Sequence, residues 1–261
     1  MKVARARTHH QSLKETNKQF YEHSPYQFEG RVIKGGLEHL YWAKNPPAPD
    51  PAWAAIIGDC VHNLRTALDY LATQLVLVSG RTPNRWTMFP VRSSPPGRRR
   101  SLLRAFIRSR ASTLAEIQGG VREDIRQAVD SVQPYQRTPL SQQLERVHEL
   151  DVIDKHRQLL LAATVVPRFI GWNWYPMMQP LSSMERTYVM LREIGVGDDQ
   201  PIFKIKFREP VENLTPNMNI YPLIAFSRDE PEVSGLDADR VLDELCTALD
   251  DIRALFTPFF C

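Results

Sequence analysis

The feature that most constrains the fold of this chain is an apolar stripe within residues 53–79. Its members recur at alternating spacings of four and three residues: Ile57, Val61, Leu64, Leu68, Leu71, Leu75 and Val78. This alternation places all of them on one side of an α-helix. The other side carries polar residues at the same alternation: Asp59, His62, Thr66, Asp69 and Thr73. The stretch predicts a long central helix with one core-forming face and one chemically reactive face.

Composition indicates a globular protein. A chain of 261 residues, 43% of them hydrophobic, is able to bury a sizeable core. The three cysteines are odd in number and lack metal-ligand spacing, which favours a reducing compartment. The N-terminus lacks the apolar core of a signal peptide, and no apolar run approaches the roughly 20 residues that span a bilayer. We therefore predict a cytoplasmic protein without membrane segments.

Helical signals dominate the first two thirds of the chain. Ser12 and Glu15 have the spacing of a capping box and predict a helix over residues 12–28. Residues 30–40 are expected to be extended or irregular, and prolines make residues 45–51 a stiff connector. Residues 80–96 read as a loop whose Trp86, Met88 and Phe89 pack on the bundle. Further helices are predicted over residues 98–113, 121–132 and 140–164.

After residue 164 the spacing of apolar residues changes from that of helices to that of strands. Four short segments rich in β-branched and aromatic residues predict strands at residues 165–175, 186–194, 202–208 and 219–226. A turn at residues 195–199 is expected to join two of them as a hairpin. An amphipathic helix over 236–256 closes the chain.

This order predicts an α+β fold, mainly a helical bundle with a small antiparallel β-sheet as a meander between the second long helix and the C-terminal helix. Residues 1–164 are assigned to the bundle and 165–230 to the sheet insertion. Residues 231–261 are assigned to a helix that packs back on the bundle, within a single compact domain.

Two carboxylates interrupt the apolar stripe of residues 140–164. Leu140, Leu144 and Val147 lead at helical steps into Asp151 and Asp154. A buried carboxylate is costly unless cations or hydrogen-bond donors meet it. We expect the reactive face of the central helix to supply those partners, unless the stripe rotates and leaves Asp151 in water.

This pairing of helices predicts a candidate catalytic group. His62 or His156 would act as general acid or base, and Arg65 and Arg157 would hold phosphate. The carboxylates that orient them would be Asp69, Asp151 and Asp154. The alternative is a structural ion-pair network, in a non-catalytic scaffold or binding module, that only locks the two helices together.

A metal-dependent enzyme is a second alternative. Asp59 precedes His62 by three residues, and Glu145 precedes His148 likewise, a spacing found in carboxylate-bridged bundles.

Nucleotide-binding loops, nucleophile elbows and HExxH motifs are missing from the sequence. The leading interpretation therefore includes no cofactor.

A dense group of arginines falls in the predicted helix over residues 98–113. Its members that we assign to anion binding are Arg98, Arg99, Arg100, Arg104 and Arg108. Such a group suits RNA or another polyanion, because each phosphate contact adds salt-dependent affinity. The alternative is a solvated face balanced by the acidic C-terminal helix.

Two stretches carry a family resemblance. Residues 57–71 contain His62-Asn63-Leu64-Arg65 followed by Thr-Ala-Leu-Asp, and residues 154–157 read Asp-Lys-His-Arg. They resemble the HNLR-S/T-ALD and DKHR signatures of a family of bacterial proteins of unknown function, over most of the chain.

The bundle is also distantly similar to the HEPN superfamily, whose ribonuclease members use an R-x4-6-H motif at a dimer interface. Arg65 matches that arginine, but the residue five positions later is Tyr70, where the motif has histidine. The sequence matches the motif literally at Arg5 and His10, in an expected N-terminal arm. The HEPN resemblance implies an RNA partner, metal-independent ribonuclease activity and a homodimer.

Overall fold

The computed structural model describes residues 2–23, 27–44, 50–94, 117, 119–156, 161–166, 173–174, 184–189, 201, 203–211, 216–217, 221–227 and 233–260. Its α-helices are α1 (Lys2–His23), α2 (Pro51–Val78), α3 (Glu123–Ser131), α4 (Pro139–His156) and α5 (Ala238–Phe256). Its strands are β1 (Gln27–Ile33), β2 (Glu38–Lys44), β3 (Leu161–Val166), β4 (Asn173–Trp174), β5 (Met184–Val189), β6 (Phe203–Phe207), β7 (Pro216–Asn217) and β8 (Tyr221–Phe226). The predicted α+β class is confirmed.

The chain divides into two compact units. A helical unit comprises Met1–Ser12, Ala55–Leu159 and Arg240–Cys261, and a sheet unit comprises Leu13–Ala54 and Leu160–Asp239. Residues 27–44, which we had assigned to the bundle, instead form two strands of the sheet unit. The sequence boundary at residue 164 therefore does not separate helical from sheet residues.

The central helix has the predicted position and buried face. Ile57, Val61, Leu64, Leu68 and Leu75 are buried in the core. The helix starts at Pro51, where Asp50 Oδ1 accepts the amide hydrogen of Ala52 at 2.9 Å. Acidic N-cap residues and proline in the first helical position both favour a helix start. It ends before Gly80, whose φ of 68° suits glycine after a helix C-terminus.

The C-terminal helix α5 also follows its sequence pattern. The five residues predicted for its apolar side are all buried: Leu242, Leu245, Leu249, Ile252 and Phe256. Phe256 meets Phe89 edge to face, with ring centroids 6.0 Å apart. The loop after α2 thus contributes one aromatic side chain to the core. Trp86 and Met88 are exposed, so the expectation that they pack on the bundle was wrong.

The sheet unit contains a four-stranded antiparallel sheet in the order β1-β2-β6-β5. A 3-10 turn at Lys34–Gly36 joins β1 to β2, and Gly35 and Gly36 adopt positive φ there. Two further pairs, β3 with β8 and β4 with β7, are also antiparallel. The predicted hairpin turn at 195–199 lies outside the described residues, although β5 and β6 do pair.

Two predicted helix bounds differ from the structure. Helix α1 begins at Lys2, so Ser12 and Glu15 lie inside it and the predicted N-cap was wrong. Helix α4 ends at His156, and residues 161–164, predicted to be helical, belong to β3. Pairing of β3 with β8 overrides a local sequence that suits either state. The predicted helix at 98–113 lies outside the described part of the chain.

Candidate functional site

A buried carboxylate on α4 meets an imidazole on α2. Asp151 is 3% exposed and follows the buried residues Leu144, Val147 and Leu150 on the inner face of α4. Its Oδ1 lies 3.3 Å from Nδ1 of His62. The expected burial of Asp151 and its contact with the reactive face of α2 are therefore both present.

Lys155, one helical turn after Asp151, completes this contact. Its Nζ lies 2.5 Å from Oδ2 of Asp151, so each carboxylate oxygen has a partner. The side chains of His62 and Lys155 are 55% and 51% exposed, whereas that of Asp151 is 4% exposed. A buried acid thus holds two solvent-facing groups that can carry positive charge. Among the described residues, Nε2 of His62 has no hydrogen-bond partner.

Asp154 lies where α4 approaches the backbone of α2. A methyl group added at Gly58 would collide with its carboxylate, so glycine permits this approach. Burial raises the pKa of Asp154, and the negative charges of Asp151 and Asp59 raise it further. In the described part of the chain, Asp154 has no ion-pair partner. It is therefore a carboxyl group that is easier to protonate than an ordinary one.

Arg65 and Asp69 form a separate network with the loop after α2. Nη2 of Arg65 donates to the carbonyl oxygen of Phe89 at 2.8 Å and to Oδ1 of Asp69 at 3.1 Å. The amide of Phe89 donates to the same oxygen of Asp69 at 3.0 Å. Arg65 is 7% exposed, so it is not on the surface as a phosphate-holding arginine would be. Its Nη1 is buried without a hydrogen-bond partner among the described residues.

The charged residues of both networks shift the pKa of His148. Burial lowers its pKa, as do the positive charges of Arg65 and Lys155, while Asp151 and Asp69 oppose them. Its Nδ1 is buried without a partner within the described ranges. From the sequence, His148 was predicted only as a metal ligand. Its spacing of three residues before Asp151, which puts both on one helical face, was the available signal.

Within the described ranges, the other predicted residues form no hydrogen bond with the side chains of His62 or Asp151. His156 is exposed in the last turn of α4. Arg157 and the five anion-binding arginines, residues 98–100, 104 and 108, lie outside the described residues. The segment from Arg5 to His10 is helical and His10 is buried, so it is not a free arm.

The predicted metal site is not assembled. In the part of the chain that the structure describes, no three histidine, cysteine, aspartate or glutamate side chains converge as metal ligands. That part includes Asp59, His62, Glu145 and His148. The acid and histidine pairs on α2 and α4 therefore do not come together as a ligand set.

Comparisons with protein-family models, curated proteins and solved structures find no match for this chain. The resemblance to the HEPN superfamily thus stays a prediction from sequence. Among the helices described here, none combines the length and apolar character needed to cross a bilayer.

Proposed function

We propose that this protein binds RNA and cleaves it without a metal ion, with His62 as a proton-transfer group. The observation that carries the proposal is the contact between Nδ1 of His62 and the buried Asp151. A buried carboxylate in this position fixes the orientation and tautomer of an imidazole. Nε2 is then left to exchange a proton with a substrate.

The proposed reaction needs a base, an acid and a positive charge. His62 Nε2 accepts the proton of the ribose 2′-hydroxyl, whose oxygen attacks phosphorus and forms a cyclic phosphate. The P–O bond to the 5′-oxygen breaks, and that oxygen takes a proton from a second imidazole, which we assign to His156. Lys155 supplies positive charge to the phosphate, since its ammonium group is half exposed beside His62's partner Asp151.

RNA as the partner rests on charge as well as on this site. The arginine-rich residues 98–110 would hold the phosphate backbone, and Arg157 would add to them. The proposal also includes a cytoplasmic location and a homodimer. Cys60 and Cys246 are free thiols, which is compatible with a reducing compartment.

A quenched fluorescent RNA oligonucleotide, incubated with protein in excess EDTA, tests the proposal. We expect His62→Gln to slow cleavage by about 100-fold or more, the usual effect of losing a proton-transfer group. His9→Gln on α1 is the matched control and should leave the rate unchanged. Cleavage by His62→Gln at the wild-type rate, or no cleavage by the wild-type protein, would refute the proposal.

A non-catalytic scaffold is the competing candidate, favoured by the fact that both oxygens of Asp151 are already bonded. It expects Asp151→Asn to lower stability and the wild-type protein to leave RNA intact. A mobility-shift assay on the same oligonucleotide then separates binding without cleavage from no binding at all.

A further inference from the structure

We propose that a cavity beside the loop after α2 binds a small phosphorylated ligand of the nucleoside monophosphate class. The cavity has a volume of about 590 Å³ and lies within the helical unit. Its lining comes from residues 81–92 of the loop and from residues 117–133, which include α3. This volume falls in the range of about 300–1,000 Å³ that small-molecule sites occupy.

The charges that line the cavity favour an anion. The lining holds three arginines and two acids, Glu123 and Asp130, so its net charge is positive. Arg81 and Arg92 are in no ion pair within the described ranges. The third arginine, Arg126, is neutralised by Glu123 at 2.6 Å. The second acid, Asp130, accepts a hydrogen bond from the phenol of Tyr135. Two free guanidinium groups are suited to a phosphate, whose oxygens match their planar donors.

A buried amide in the lining indicates that the ligand also carries a hydrogen-bond donor. Gln133 is 2% exposed, and its Nε2 donates to the carbonyl oxygens of Pro90 at 3.1 Å and Val129 at 3.0 Å. These two bonds fix the orientation of the amide. Its Oε1 is buried without a partner in the described part of the chain. A buried acceptor is normally satisfied, and a ligand N–H or O–H in the cavity would supply the donor that this oxygen lacks.

Apolar residues complete the chemistry. Ile117, Val121, Val129 and Pro90 also line the cavity. An apolar wall suits the face of a flat ring, and the ring edge supplies the donor for Gln133. Phosphate, flat ring and ring donor together describe a nucleoside monophosphate. This site shares no residue with the His62–Asp151 contact, so it stands independently of the proposed ribonuclease activity.

Calorimetric titration of the full chain with AMP, GMP, CMP and UMP tests this proposal. We expect at least one of them to bind about tenfold more tightly than inorganic phosphate or the matching nucleoside, because only the nucleotide meets both ends of the cavity. No heat from any of the four nucleotides, or equal affinity for phosphate alone, would overturn it.

Variants identify the site of binding. Arg81→Gln and Arg92→Gln should each weaken nucleotide binding by about tenfold or more. Arg85→Gln, in the same loop but outside the cavity lining, removes the same charge and should bind as the wild-type protein does. Binding that survives in both Arg81→Gln and Arg92→Gln, or that Arg85→Gln loses equally, contradicts the assignment. Circular dichroism shows that each variant is folded before titration.

Discussion

The guanidinium group of Arg65 and the backbone of Phe89 are joined by a hydrogen bond of 2.8 Å from Nη2 to the carbonyl oxygen. The amide of Phe89 donates a hydrogen bond to Asp69 on α2, and the same carboxylate oxygen accepts a hydrogen bond from Arg65. Three groups thus close a ring that fixes the loop to the central helix. The buried ring of Phe89 is held in the core by the same contacts.

Arg65→Lys should therefore destabilise the helical unit. Both bonds come from one nitrogen, Nη2, and the ammonium of a lysine lies one bond closer to the backbone, so it cannot reach Phe89 and Asp69 in the same way. We expect a loss of about 1.5–3 kcal/mol, the usual value for hydrogen bonds to a charged group. Urea unfolding measures it. Arg85→Lys, on the exposed part of the loop, should unfold at the wild-type midpoint; equal midpoints for both variants would contradict the role given to Arg65.

Gly58→Ala should destabilise the protein although alanine is the better helix former. In an exposed helix interior the change gains about 1 kcal/mol. Here the new methyl group meets the carboxylate of Asp154, and overpacking of this kind costs about 1–3 kcal/mol. In an Asp154→Ala background the clash is gone and Gly58→Ala should become stabilising. A double-mutant cycle by urea unfolding checks the change of sign, and the same sign in both backgrounds would rule out the collision.

Asp154→Asn should stabilise the protein at neutral pH. Burial and the neighbouring carboxylates raise the pKa of Asp154 above its unfolded value, so its ionised form opposes folding. That penalty is complete above the folded pKa and vanishes as the pH falls below the unfolded value of about 3.9. The advantage of Asp154→Asn should therefore shrink on acidification in thermal melts. If the stability gained by Asp154→Asn grew toward acid pH, the predicted direction of the pH dependence would be wrong. The exposed Asp243→Asn serves as the control.

Glu38 should show the opposite pH dependence in the sheet unit. The ammonium groups of Lys204, at 2.6 Å, and Lys34, at 2.8 Å, lower its pKa from 4.5 to about 2. Its contribution to stability is thus complete above pH 4.5 and is lost as the pH falls toward 2. Glu38→Gln should be less stable than the wild-type protein at neutral pH, with a gap that closes in this window. Glu29→Gln, whose carboxylate is exposed, should show no such gap.

The parts of the fold that the sequence predicts correctly are those set by local periodicity. In α2 and α5 the apolar residues recur at helical spacing over five or more turns. A stripe of that length fits an α-helix and not a strand. The strands β1 and β2 were missed because β2 finds its second partner, β6, far along the chain. The end of α4 was misjudged because the leucine and alanine residues that follow it suit helix and strand alike.

The same distinction applies to the candidate site. Asp151 was identifiable because it stands where the stripe of α4 requires an apolar residue, and its burial follows. The bond from Arg65 to Phe89 depends on the path of the loop, which no periodicity encodes. The cavity beside that loop was missed for the same reason, since its arginines are spread over two separate segments.

The position of β2 between β1 and β6 has a consequence for folding during synthesis. Glu38 faces Lys206 and Tyr41 faces Phe203 in the sheet, so more than half of the chain is made between the two strands. Contacts so distant in sequence form slowly, and until β6 emerges from the ribosome one edge of the hairpin remains open. A nascent chain halted before residue 203 would expose that edge to other chains. Translation rate and chaperone capture at this stage should then decide how much of the protein escapes aggregation.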